Sequence, residues 1–186
     1  MSISRVIVVH GYSATPSDHW FGWLARTLAP AGVRTLVPAL PDSSSPDPVR
    51  WVETVVEAIG APDDQTAVVA HSLGTVTALH ALDRFGGDWR LGALIAVSGF
   101  ADPIPGLPEL DGFTRSRPDL RRTAARTGDR VVLLSDDDAI VPPALSIALG
   151  AALDAERIVV PGAGHFLADE GYDTLPQVAE RILSPS

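Results

Sequence analysis

The sequence predicts a three-layer α/β/α sandwich built on a parallel sheet. Short runs rich in β-branched residues alternate with segments of helical length and periodicity, which is the pattern of repeated strand–helix units. Several of these runs, for example residues 6–9 and 131–134, are apolar at every position. Strands that are covered by helices on both faces have this composition. The length of 186 residues fits one domain, which is expected to span residues 1–186.

Six strands are predicted, so the sheet is expected to contain about six parallel strands. In chain order they cover residues 4–9, 34–37, 66–70, 91–97, 130–135 and 157–160. The segments between them favour right-handed crossover connections, as in other parallel sheets.

Amphipathic segments between the strands predict the helices. These helices cover residues 19–29, 48–59, 73–85, 142–153 and 174–183. Residues 38–48 and 98–117 are rich in proline and are predicted as loops. Both loops follow the carboxyl end of a strand, where open α/β sheets bind their ligands.

Composition and charge exclude several classes of function. With 23 acidic and 14 basic residues, the net charge of −9 disfavours nucleic acid and anionic membranes as partners. The absence of cysteine excludes disulfides and thiolate metal sites. No apolar run is long enough for a membrane span, and the first strand begins too early for a signal peptide. We therefore expect a cytoplasmic protein without nucleic-acid or membrane partners, and a monomer.

The strongest motif is Ala70-His71-Ser72-Leu73-Gly74, which stands between a buried strand and a helix. In this context the motif predicts a nucleophile elbow, a sharp turn that presents the serine hydroxyl above the sheet of an α/β hydrolase. Small residues two positions before and after the serine allow close backbone packing, although glycine is more usual than Ala70. Taken alone, the motif is equally compatible with an ordinary strand–helix turn.

Other residues supply a base and an acid in the expected chain order. A serine hydroxyl needs a base and an orienting acid, and α/β hydrolases carry them in the order Ser, acid, His. His165 follows the last strand in a glycine-rich loop, and aspartates 136–138 follow the strand before it. Asp138 is predicted as the acid because it lies four residues before Pro142, in an Asp-x-x-Val-Pro arrangement. The two preceding aspartates are interpreted as turn residues or cap acceptors.

Two backbone N–H groups are predicted to form an oxyanion hole. Leu73 opens the helix after Ser72, so its N–H would face the site. Tyr12 lies in the loop after the first strand, which supplies the second donor in this fold.

The other histidines are not predicted to be catalytic. His10 is interpreted as a structural residue beneath the oxyanion loop, and His71 as packed against the sheet. His19 and His80 fall in helical patterns, and no role is predicted for them.

Apolar residues near the predicted site are candidates for a substrate pocket. Prolines in residues 98–117 predict a stiff flap over a shallow cleft that holds a short acyl chain. Nothing near the three aspartates completes a metal coordination shell, so no metal and no cofactor is expected. The predicted substrate-binding residues are Trp20, Phe100, Leu107, Phe113 and Phe166.

Residues 10–24 resemble the opening of the small serine hydrolases related to retinoblastoma-binding protein nine. The likeness extends over nearly the whole chain. It implies a minimal α/β-hydrolase fold without the first two strands of the full fold and without a cap domain. It also implies hydrolysis of small esters, with aminopeptidase-like activity ascribed to some members. The further matching motifs are Ala70-His71-Ser72-Leu73-Gly74, Asp137-Asp138 with Val141-Pro142, and Gly164-His165-Phe166.

The observations together predict a cofactor-free serine hydrolase. It is expected to cleave a small carboxylic ester, thioester or amide through an acyl-enzyme, with Ser72, Asp138 and His165 as the triad. The same triad can run acyl transfer, lactone opening or cyclisation. A protein-binding module on a hydrolase fold is a further alternative, and its expected mark, loss of a triad residue, is absent from this sequence.

Overall fold

A sheet of six parallel strands forms the centre of the structure, a computed structural model that describes residues 2–184. The spatial order is β2-β1-β3-β4-β5-β6, so the chain continues from β1 outward to β2 and then returns to the other side of β1. Ligands of open α/β sheets bind at such a reversal of strand order. The strands are β1 (Arg5–Val9), β2 (Arg34–Leu36), β3 (Thr66–His71), β4 (Leu91–Val97), β5 (Thr127–Ser135) and β6 (Glu156–Val160).

Helices cover both faces of the sheet. Alternate strand residues point to opposite faces, so Val6 and Val8 pack under one layer while Ile7 and Val9 pack under the other. The first layer contains α1 and α7, and the second contains α2, α3 and α6. No helix within residues 2–184 is both long and apolar enough to cross a membrane. The helices are α1 (Phe21–Leu28), α2 (Pro48–Ile59), α3 (Leu73–Arg84), α4 (Asp111–Thr114), α5 (Leu120–Arg126), α6 (Pro143–Ala152) and α7 (Pro176–Leu183).

The structure confirms the predicted fold class and all six strands. The largest difference is at β5, which begins three residues earlier than predicted, at Thr127. Its first residues include Gly128 and Asp129, which carry no strand signal, yet Thr127 pairs with Leu91 and Asp129 pairs with Ala93 of β4. Between β4 and β5 the described chain contains only short helical segments and no cap domain.

Periodicity did not predict α4 and α5, and three predicted helices, α1, α6 and α7, begin one or two residues later than expected. Helix α4 is a single turn in a proline-rich segment, and α5 buries only Thr123 completely, so neither has an apolar stripe. Helix α1 begins at Phe21 because His19 has a φ of 50°, which is incompatible with a right-handed helix.

Candidate active site

Ser72 occupies a strained turn between β3 and α3. Its φ of 54° and ψ of −124° lie in a region that non-glycine residues rarely adopt, and such strain is concentrated at functional sites. Hydrogen bonds maintain the turn, since the Ser72 N–H donates to the carbonyl of Val97 and the Thr75 N–H donates to the carbonyl of Ser72, both at 2.9 Å. The backbone therefore has the sharp bend that the motif predicts.

Glycines allow the turn to pack directly against the end of β1. A Cβ at Gly74 would lie 2.3 Å from the carbonyl oxygen of Val9 and 2.6 Å from that of His10, which no side chain could tolerate. A Cβ at Gly11 would lie 3.0 Å from the Cβ of Ser72. The loop after β1 consequently rests on the serine.

Neither of the two N–H groups predicted for the oxyanion hole donates to another described residue. Leu73 is the first residue of α3, where backbone N–H groups have no partner within the helix. The N–H of Tyr12 donates to no other described residue, whereas the next two N–H groups, of Ser13 and Ala14, are used within the loops. Leu73 directly follows Ser72 in the chain. Tyr12 directly follows Gly11, which packs closely against Ser72.

His10 holds the loop after β1 in place. Its Nδ1 lies 3.0 Å from the carbonyl oxygen of Gly11, and its Nε2 accepts a hydrogen bond of 3.1 Å from the N–H of Leu40. Burial lowers the pKa of His10, so the ring is neutral and both nitrogens are satisfied. This agrees with its interpretation as a structural residue.

His165 and Asp138 form a buried hydrogen-bonded pair. The Nδ1 of His165 lies 2.8 Å from Oδ2 of Asp138, and the two side chains are 4% and 3% exposed. The other carboxylate oxygen, Oδ1, accepts hydrogen bonds of 2.9 Å from the N–H groups of Ile140 and Val141. Since an ionised carboxylate can only accept, the Nδ1–H of His165 donates to Asp138, and Nε2 is left as the free acceptor.

The surroundings of Asp138 keep it ionised. Burial by itself would raise the pKa of this carboxyl group. The hydrogen bond and the charge of His165, with the N–H of Val141, outweigh burial and lower the pKa below its ordinary value.

The two neighbouring aspartates anchor the loop that carries His165. Oδ1 of Asp136 accepts a hydrogen bond of 2.9 Å from the N–H of Gly162, and Oδ1 of Asp137 accepts one of 2.8 Å from the N–H of Gly164. The Ser135 hydroxyl also donates to Asp137, at 2.6 Å, and this bond and the one from Gly164 lower the pKa of Asp137. Asp136 and Asp137 thus connect the end of β5 to the loop after β6, and this connection extends beyond the local turn or cap that was predicted for them.

Ser72 and His165 line one cavity with a volume of about 220 Å³. None of the described residues that line it is Asp, Glu, Lys or Arg. The wall combines aliphatic side chains with serine, tyrosine and histidine side chains. The other lining residues are Gly11, Tyr12, Ser13, Ala14, His19, His71, Ile104, Leu107, Leu110, Ile140 and Leu167.

Four of the five residues predicted to bind substrate lie outside this cavity. Trp20, Phe100, Phe113 and Phe166 are at most 1% exposed and belong to the apolar layers beside the sheet. This corrects the expectation from the sequence. Large aromatic side chains gain most free energy when completely buried, so they anchor their loops in the core. Leu107 does line the cavity.

The segment after β4 lines part of the cavity with aliphatic side chains. Ile104, Leu107 and Leu110 contribute to the wall, while Phe100 and Phe113 anchor the segment below. An ion pair between Asp102 and Arg117 joins its two ends. The segment predicted as a flap therefore lines the cavity, and its aromatic residues are turned inward.

Sequence reasoning missed two histidines at the cavity, His19 and His71. The Nε2–H of His71 donates to the carbonyl of His165 at 2.9 Å, and the two ring centroids are 4.9 Å apart. The ring of His19 lies 5.7 Å from that of His71. His71 stands next to the serine in the motif, which was a usable signal, whereas His19 was hidden in a helical pattern.

We predict that His71 makes folding stability sensitive to acid. Burial, with the charge of His165, lowers the pKa of His71 well below its usual range. The unfolded chain therefore binds a proton near the ordinary value of about 6.5, before the folded protein does, and stability is lost as the pH falls below that value. Urea unfolding at about pH 7.5 and about pH 5.5 should show this loss. His71→Asn should flatten the slope by up to about 1.4 kcal/mol per pH unit, and an unchanged slope would refute the assignment.

The fold and this arrangement of side chains define a serine hydrolase of the α/β-hydrolase fold. A family model described as serine hydrolase matches residues 6–184, and the chain belongs to this family. The expected membership of a family of small serine hydrolases is thus confirmed.

Similar proteins agree with the family and the fold. YdeN of Bacillus subtilis (strain 168) is 36% identical over 180 residues, which cover 97% of this chain and 95% of YdeN. The crystal structure of the ydeN gene product from B. subtilis has a TM-score of 0.92, with 95% of each chain covered. Est1E from Butyrivibrio proteoclasticus shares only the fold, with 17% identity and a TM-score of 0.69 over 97% of this chain and 86% of Est1E.

Proposed function

We propose that this hydrolase cleaves small, uncharged carboxylic esters, thioesters or amides through an acyl-enzyme on Ser72. The observation that carries the proposal is the convergence of two features on one cavity. These are the strained turn of Ser72 and the buried hydrogen-bonded pair of His165 and Asp138.

In the first half of the reaction, His165 acts as base and then as acid. Its Nε2 takes the proton of Ser72 while Oγ bonds to the substrate carbonyl carbon. The N–H groups of Leu73 and Tyr12 stabilise the negative charge on the carbonyl oxygen, an effect typically worth about 3 kcal/mol per donor. Collapse of the intermediate breaks the bond to the leaving group, which receives the proton from His165 and departs.

In the second half, water releases the acyl group. His165 removes a proton from water as its oxygen attacks the acyl carbon, and the proton passes to Oγ of Ser72 when the ester bond breaks. Asp138 stays ionised throughout and stabilises the imidazolium, which fits the lowered pKa of this carboxyl group.

The cavity favours a small and uncharged substrate. No charged side chain is present among its described lining residues to pair with a substrate carboxylate or ammonium group. Its volume of about 220 Å³ is below the roughly 300–1,000 Å³ of sites for drug-sized ligands. The aminopeptidase-like activity ascribed to some relatives would need a partner for an ammonium group, so esters are the better candidates.

The acyl-chain preference tests this proposal. Ile140 and Tyr12, at 40% and 36% exposure, mark where the cavity opens to solvent. Each buried CH₂ contributes about 0.8 kcal/mol, or about fourfold in kcat/KM, until the chain reaches water. For p-nitrophenyl esters, kcat/KM should rise from acetyl to about butyryl or hexanoyl and then level off. A continued rise to dodecanoyl would indicate a deep tunnel, and equal rates for all chains would place the acyl site elsewhere.

A further inference from the structure

His19 stands at the edge of the cavity in an unusual conformation. The residue is half-buried, lines the cavity beside Ser72, and has a φ of 50°, which places it before α1 and outside any helix. Its Nδ1 accepts a hydrogen bond of 3.1 Å from the N–H of Ala168, in the loop that carries His165. The ring is thereby fixed against the His165 loop.

This hydrogen bond determines what His19 offers to a ligand. A ring nitrogen that accepts a hydrogen bond carries no proton, so a neutral His19 has its N–H at Nε2. No described residue forms a hydrogen bond with this Nε2. Burial lowers the pKa of His19, as does His165, while Asp18, Asp169 and Glu170 act in the opposite direction. The net result is a neutral side chain with one uncommitted donor.

The position of His19 indicates that this donor would meet the leaving-group part of the substrate. The ring centroid of His71 lies 5.7 Å from that of His19 and 4.9 Å from that of His165, and all three residues line the cavity. In the proposed reaction His165 gives its proton to the leaving group, so the leaving group must lie against His165. The aliphatic residues after β4, such as Ile104 and Leu107, contain no donor and suit the acyl chain.

From this geometry we infer that His19 determines leaving-group specificity, by donating a hydrogen bond from Nε2 to an oxygen acceptor in the alcohol part of the substrate. The inference rests on the proposed function, because it needs an ester bound at Ser72. It adds a substrate class, namely esters of alcohols with an ether, carbonyl or hydroxyl oxygen near the ester bond.

The test compares butyl butyrate with 2-methoxyethyl butyrate, which differ by one oxygen in place of a CH₂ in the alcohol. His19→Asn is the informative variant, since asparagine tolerates a left-handed backbone and its Oδ1 can still accept from Ala168, but it has no group at the position of Nε2. His19→Gly is a second variant that tolerates the same backbone. The kcat/KM preference of the wild type for the methoxyethyl ester should fall about three- to tenfold in both variants.

The ratio of kcat/KM for the methoxyethyl ester to kcat/KM for the butyl ester separates substrate recognition from a structural effect. Damage to the fold lowers kcat/KM for both esters equally and leaves their ratio unchanged. An unchanged ratio in both variants overturns the inference. The inference is also overturned if the variants change the kcat/KM ratio only for two esters that differ in the acyl part, ethyl hexanoate and ethyl 3-ethoxypropanoate. If the wild type cleaves none of these esters and a fluorophosphonate fails to label Ser72, the proposed function itself fails, and the role of His19 fails with it.

Discussion

Ser72→Ala should lower kcat for p-nitrophenyl butyrate by roughly 10⁴ to 10⁶, because loss of a triad nucleophile leaves only binding and the oxyanion donors. The substitution removes only Oγ from a side chain that is 6% exposed. Alanine keeps the same backbone strain at a φ of 54°. The melting temperature should therefore stay close to that of the wild type while turnover disappears.

A second serine provides the matched control. Ser13 lines the same cavity and also has a positive φ, of 55°. A fluorophosphonate should label the wild type and Ser13→Ala but not Ser72→Ala. If Ser72→Ala kept more than about a hundredth of wild-type turnover, the nucleophile would be misassigned. If the folded wild type resisted labelling, the protein-binding alternative would replace the enzymatic proposal for this site.

The parts of the molecule that local sequence determines were predictable. Continuous apolar runs identified the strands because a strand between two helical layers needs apolar residues on both faces. The motif around Ser72 identified its turn because Gly74 meets the carbonyl of Val9 and can carry no side chain. The Asp138–His165 pair followed from chain order, since the two residues lie in the loops after neighbouring strands, β5 and β6.

Features that depend on tertiary packing were not predictable. The burial of Phe100 and Phe113 depends on how the segment after β4 settles on the core, and a loop position alone does not determine which side chains turn inward. Helix α5 has too few buried residues to leave a periodic signal. The left-handed conformation of His19, which brings it to the cavity, conflicts with the helical pattern of its own sequence.

Asp138→Asn should reduce kcat by roughly 10⁴, by analogy with the triad aspartate of serine proteases. The hydrogen bonds of Asp138 explain the size of the effect. The N–H groups of Ile140 and Val141 both donate to Oδ1, so the asparagine oxygen will take that position and its NH₂ group will face His165. A donor facing Nδ1 forces the ring proton onto Nε2, which can then no longer accept the proton of Ser72.

The neighbouring aspartates supply controls of the same charge change. Asp136→Asn and Asp137→Asn should each cost less than about tenfold in kcat, because an amide oxygen can still accept from Gly162 or Gly164. Their effect should appear instead as a lower melting temperature, since they anchor the loop of His165. Steady-state kinetics and thermal unfolding of the three variants separate these outcomes. If Asp137→Asn were the inactivating change, the acid would be one residue earlier, and the 2.8 Å bond between Asp138 and His165 would be structural only.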